Sequence, residues 1–331
     1  MVNICVPIKH LGAHMISIHG GLKYIVFILF LSFLSPISFS SNASKPIVVC
    51  TTTVLSSIVY DLAKDKVIVE VISSPAVCPA HYDIKPSDID MFRSASLIFI
   101  HGFEPWINDL KMASGSNATI IKVAGPWNTP EKLREKYILI ANMLEKYLKL
   151  NLTENLYRCL KAINETEEYL IEYSLDHGFK DTPVICMAWQ QGFINFLGFK
   201  IIAVYGPPEK ISMRQYENIV KNASQAGAVL IIDNIQSGVE FGEKLASTIG
   251  GVEVSLTNFP GISPELKNMT MVMKWNAERL GKAIMEAKLK GEINRLREEI
   301  KMWRMITIVS SILIIVLLII CISLILKIRR K

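Results

Sequence analysis

Twice along this chain, short runs rich in β-branched residues alternate with helical patterns, and that alternation leaves few folds open. From residue 46 the order is IVVCTT, VLSSIVYDLAK, VIVEVIS, PSDIDMFRSA, SLIFIHG, a helix from Pro105 to Met112, and TIIKV. Continuous apolar strands separated by helices indicate a parallel sheet covered on both faces. A second alternation follows, with strands near PVICM, KIIAVYG, AVLIID and VEVSL and helices from Gln191, Ser212, Ser237 and Ser263. Between them, Thr129 to about His177 is helical with a break near Asn151 to Thr153, and Leu156, Leu160, Ile163, Leu170 and Ile171 recur at helical spacing. The expected fold class is α/β: two four-stranded parallel-sheet lobes, residues 46–128 and 178–285, joined by a long connecting helix within 129–177.

The ends of the chain read differently. Residues 1–40 carry an apolar run after Lys23 and small residues at Ser38 and Ser40, the pattern of a cleaved signal peptide, starting at Met1 or Met15; an uncleaved anchor is the alternative. Met305 to Leu326 is 22 residues without a charge, long enough to span a hydrocarbon core of roughly 30 Å. Lys327, Arg329, Arg330 and Lys331 follow, so residues 305–326 read as a transmembrane helix and 327–331 as a cytoplasmic tail by the positive-inside rule. Residues 286–304 read as a helical stalk. There Leu289, Ile293, Leu296, Ile300 and Trp303 are spaced 4, 3, 4, 3, a seam suited either to dimerisation or to packing against the domain. The expectation is a single-pass protein of the cell membrane with an extracellular ectodomain.

Charge follows the same division. Of 36 Lys and Arg, two precede residue 40 and four follow residue 326, leaving 30 against 30 acidic residues in the ectodomain. A neutral ectodomain gives no basic patch for nucleic acid. Six Asn-x-Ser/Thr sequons, at Asn42, Asn117, Asn151, Asn164, Asn222 and Asn268, all fall in this exported part and are candidate glycosylation sites. Cys50, Cys78, Cys159 and Cys186 are the ectodomain cysteines. Their even number permits disulfides; Cys50 with Cys78 is the expected pair, since successive parallel strands end close together, with free buried thiols as the alternative.

No GxSxG, HExxH, GxxxxGK[ST] or GxGxxG occurs, so a binding protein is expected rather than an enzyme. Two α/β lobes leave a cleft at the carboxyl ends of their strands, where ligands sit in open parallel sheets. The segment SSPAVCPAHYDIKPSDIDMF places His81 in a loop reaching that cleft, just before a helix for which Ser87 and Asp90 predict a capping box. His101 ends a strand at the cleft edge, and Asp233 ends another. Trp127, Asn128, Gln190, Gln191, Asn234 and Asn258 fall on neighbouring cleft loops. His177, beside Gly178, fits a helix C-cap.

The stretch PAHYDIKPSDIDMFRSASLIFIHGFEPWINDL, with weaker echoes in YGPPEKIS and NAERLGKAI, resembles the solute-binding receptors of zinc- and manganese-type ABC importers over about residues 46–285. That resemblance implies two α/β lobes with a bridging helix, a divalent transition metal (Zn, Mn or Fe) as cargo, and an ABC permease with its ATPase as partners. The family's histidine-rich site carries over by position to His81 only. Gly125-Pro126-Trp127-Asn128 stands where a second histidine is expected, and Met187 to Gln191 where a third is, so the site is altered. The metal ligands expected from the chain as a whole are His81, His101 and Asp233. A receptor for a chelated or non-metal solute is the first alternative, and a surface adhesion or structural protein the second.

Overall fold

The computed structural model describes residues 44–329. The signal-peptide segment, the Asn42 sequon and Cys5 lie outside the described residues. The first lobe runs β1 (Ile47–Cys50), α1 (Thr53–Ala63), β2 (Ile68–Val71), α2 (Pro86–Ser94), β3 (Leu97–Ile100), α3 (Ile107–Ser114) and β4 (Thr119–Lys122). Helices α4 (Pro130–Leu148) and α5 (Thr153–Asp176) follow, and then β5 (Pro183–Met187), α6 (Gln191–Phe196), β6 (Lys200–Tyr205), α7 (Met213–Ala226), β7 (Leu230–Asn234), α8 (Glu240–Ile249) and β8 (Val252–Leu256). A single helix, α9 (Met269–Arg329), completes the described chain.

Both sheets are parallel and share one topology, β2-β1-β3-β4 in the first lobe and β6-β5-β7-β8 in the second. Chain direction across the sheet therefore reverses between β1 and β3, and again between β5 and β7. Side chains alternate between faces with period two. Val49 and Ile98 join Phe92, Trp106 and Leu110 under α2 and α3, while Ile185, Met187 and Ile231 join Ile219, Ala223 and Leu245 under α7 and α8. The opposite faces meet in one continuous core. Val48, Cys50, Leu97 and Phe99 of the first lobe and Val184, Cys186, Leu230 and Ile232 of the second share it with α1, α4, α5 and the first turns of α9.

The connector is two helices, with the break near the residues where it was expected. Lys149 takes a left-handed φ of 55° and ends α4, and α5 restarts at Thr153. Helix α5 ends as expected, with the His177 ring donating from Nδ1 to the Tyr173 carbonyl at 2.9 Å. The helix expected from Ser263 begins later. Residues 260–268 form turns, and Asn268 caps α9 by accepting from the Met271 amide at 3.3 Å. The capping box before α2 is shifted too: Asp88, not Asp90, accepts the Lys85 amide at 2.7 Å, because Pro86 rather than Ser87 opens the helix.

The expected Cys50–Cys78 disulfide is absent: Cys50, Cys78, Cys159, Cys186 and Cys321 are all free. Cys50 is buried on the sheet face that points into the shared core, whereas Cys78 lies well beyond β2 in the loop that opens the His81 turn. Among the described sequons, Asn117, Asn151, Asn164 and Asn222 are exposed. Asn268 is half-buried, and its amide nitrogen donates to Asp61 at 3.2 Å.

Candidate functional site

The cleft lies at the two switch points, where neighbouring loops leave the sheet in opposite directions and strand ends are open. In the first lobe, Thr51 and Thr52 follow β1, and His101 to Glu104 follow β3. Glu104 is buried and its carboxylate closes its own loop. It accepts from the backbone amides of His101 (2.9 Å), Gly102 (2.6 Å) and Phe103 (3.0 Å) and from the Thr51 hydroxyl (2.5 Å). Burial alone would raise its pKa, but these hydrogen bonds outweigh it and hold the carboxyl below its ordinary value.

His101 is 3% exposed, and both ring nitrogens are engaged. A carbonyl only accepts, so Nδ1 carries the proton donated to Val123 O at 3.3 Å, and Nε2 accepts from the Thr52 hydroxyl at 2.8 Å. The ring stacks on Trp127 with centroids 4.2 Å apart. Burial depresses its pKa to about 4, so the imidazole is neutral.

His81 contrasts with it. It ends a 3-10 turn, Pro79–His81, and is exposed. The turn is fixed on both sides: the Trp106 indole donates to Pro79 O at 2.8 Å, and the Tyr82 hydroxyl donates to Asp88 at 2.9 Å.

Asp233, one residue before the end of β7, lies on the sheet face that packs α7 and α8, with Oδ1 accepting from the Tyr205 hydroxyl and Oδ2 lying against Gly242 without a hydrogen-bond partner among the described residues. Burial pushes its pKa up to about 6, with Glu243 and Glu240 adding to the rise. His81, His101 and Asp233 are therefore not brought together. Among the described residues no group of three or more His, Cys, Asp or Glu is placed to hold a metal ion.

Hydrogen bonds join several loops around Trp127, Asn128 and Asn258, while Gln191 is exposed at the start of α6. Trp127 donates from Nε1 to Asn258 O at 2.9 Å, crossing from the first lobe to the second. Asn128 and Asn258 both donate to Trp189 O, at 3.0 and 3.1 Å. Gln236, at the end of a loop expected to reach the cleft, donates to Pro75 O and to the Thr257 hydroxyl, both at 2.9 Å, and accepts from the Asn258 backbone amide at 3.3 Å. Beneath this network three carboxamides are almost sealed from solvent: Gln190 (0% exposed), Asn234 (2%) and Asn258 (7%). Both amide atoms of Gln190, Nδ2 of Asn234 and Oδ1 of Asn258 have no partner among the described residues. Unmade hydrogen bonds of buried amides cost about 1–3 kcal/mol each, so these covered carboxamides are unsatisfied groups at the floor of the cleft.

Asn276 of α9 holds this floor from below, donating to Thr257 O at 2.8 Å and accepting from its amide at 3.1 Å. The sequence signal for it is a polar residue on the face of α9 that otherwise buries Val272, Met273, Ala277 and Leu280. A separate cavity of about 190 Å³ lies away from the cleft, among Asp61, Tyr137, Arg158, Cys159 and Asn268.

Residues 48–137 match the family model of the zinc-uptake complex component A, periplasmic. The solved structure of ZnuA superposes with a TM-score of 0.63 at 17% identity, covering 72% of this chain and 99% of that one. The fold is ZnuA-like. The periplasmic zinc binding protein TroA from Treponema pallidum superposes equally well, with a TM-score of 0.64 at 14% identity, over 72% of this chain and 99% of TroA. An uncharacterized protein of Rickettsia prowazekii (strain Madrid E) is 27% identical over 232 residues, 63% of this chain and 73% of the relative. The chain thus resembles the zinc- and manganese-type solute-binding proteins of ABC importers.

Proposed function

We propose that the chain is a membrane-anchored extracellular receptor of an ABC importer, which takes a divalent transition metal in the interlobe cleft and delivers it to a permease and its ATPase. The observation that supports metal as cargo is His81: exposed, with no side-chain hydrogen bond among the described residues, on a turn clamped by Trp106 and Tyr82. One imidazole with amide oxygens is a harder donor set than the His/Cys shell that favours zinc, and suits manganese or ferrous iron better. Met305 to Leu326 anchors the receptor, with residues 327–331 cytoplasmic.

Calorimetric titration of purified protein with manganese, ferrous iron and zinc, in wild type and His81→Ala, tests this. Affinity should fall at least tenfold in the variant; unchanged affinity would remove His81 from the site. A second reading, a chelated or non-metal solute, is favoured by the four unpartnered amide atoms of Gln190, Asn234 and Asn258. Elemental analysis and native mass spectrometry of protein purified without added metal separate the two: bare metal supports the first, a co-purifying organic molecule the second.

A further inference from the structure

The last side chain of α9 to hydrogen-bond a lobe is Lys290, which donates to Gly251 O at 2.7 Å; the helix runs on beyond it, and its exposed apolar stripe has a register. Assigning Ile293 and Ile300 to heptad position a puts Leu289, Leu296 and Trp303 at d. All five are 40–63% exposed, so the structure leaves the seam uncovered. Of the last positions of α9 to touch the shared core, Leu280, Ile284 and Ala287 lie on the opposite face of the helix, and Ala283 lies at its flank. The lobes therefore do not block the seam. Isoleucine at a with leucine at d is the combination that favours two parallel strands.

The flanking charges choose the occupant. In this register Glu292 and Glu299 occupy g, and Arg297 and Arg304 occupy e. In a parallel, in-register pair each g residue faces the e residue five positions on in the other helix, which sets Glu292 against Arg297 and Glu299 against Arg304 in both directions. Within one chain, Glu292 and Glu299 reach only Arg295, at 3.7 and 3.9 Å, and among the described residues Arg297 and Arg304 make no ion pair. The same register carried into the apolar segment places Thr307 and Ser310 on the seam, followed by Ile314, Leu317, Cys321 and Leu324. Small residues at that face allow close approach of helices in a bilayer.

We propose that α9 pairs with α9 of a second copy of this chain as a parallel, in-register coiled coil that continues into the membrane span, so that one anchor displays two clefts. Parallel orientation in the cell rests on the membrane-anchored reading. Pairing in detergent does not, and the two failures are told apart by membrane extraction of the same chain.

The test uses the full chain in detergent. Light scattering should report two copies per particle. In a Cys321→Ser background, Ile293→Cys should cross-link to a dimer under mild oxidation, and Glu298→Cys, at position f on the far side of the helix, should not. The Glu292→Arg, Glu299→Arg pair should cut the Ile293→Cys cross-link severalfold, and mixing with Arg297→Glu, Arg304→Glu chains should restore it. A single-copy particle, equal cross-linking at 293 and 298, or indifference to charge reversal would each overturn the proposal.

Discussion

His81 and His101 are identical in chemistry and opposite in circumstance. His101 makes two hydrogen bonds and stacks on Trp127 inside the first lobe; His81 stands exposed on its turn. Replacing His101 with alanine should destabilise the protein by about 2–4 kcal/mol, from lost hydrogen bonds and a buried void, while His81→Ala should stay within about 0.5 kcal/mol. Urea unfolding of the two variants measures the contrast, and equal losses would show that His81 also has a structural role. Glu253 on β8 is a third case. Burial first, then Asp233 and Glu243, push its pKa up to about 7 from an ordinary 4.5. A raised carboxyl pKa means the folded state holds a proton that the unfolded state has lost, so stability falls as pH rises from about 4.5 to 7. Glu253→Gln should flatten that slope, gaining on the order of 1–2 kcal/mol at pH 8 and little at pH 4. Urea midpoints at both values, with chelator present, decide it.

At the scale of elements, strand ends determine which groups are reachable. Cys50 and Cys186 end or nearly end buried strands, and burial raises both thiol pKa values, that of Cys186 to about 12. Cys159 on α5 is raised to about 11, also by burial first. Thiols held protonated and covered react slowly. Among the cysteines of the lobes, maleimide labelling of the native protein should therefore modify Cys78 first, with Cys50 and Cys186 modified only on unfolding. Reductant should leave the melting temperature unchanged. A reductant-dependent fall in melting temperature would bring back the disulfide. The helix caps make the same point: Lys85 and Asp88 cap α2 because Pro86 suits the first helical position, a local rule that places the boundary more sharply than serine preference does.

In the whole molecule, the two lobes are not separate folding units. Their inner sheet faces share one core with α1, α4, α5 and α9. Thermal unfolding should consequently be a single transition by both calorimetry and circular dichroism; two resolved transitions would show that the lobes fold independently. The far part of α9 is the reverse case. Its apolar segment, with a mean hydropathy of 3.3, is covered by nothing else among the described residues.

Much of this was legible in the order of residues. Period-two and helical patterns, run lengths and charge counts determine the two four-stranded parallel sheets, the helical connector and the apolar terminal segment, because these depend on neighbours close in the chain. The likeness to metal-type receptors was legible in the PAHY to INDL stretch for the same reason. Tertiary structure alone decided which polar groups were already committed. Glu104 is consumed by its own loop, His101 by Thr52 and Val123, and Asp233 is turned under α8, while Gln190, Asn234 and Asn258 keep open amide atoms. Availability of His101 and Asp233 depends on partners 22 to 49 residues away, and even Glu104, held by amides of its own loop, is also bound by Thr51, 53 residues away; no local pattern encodes such partners.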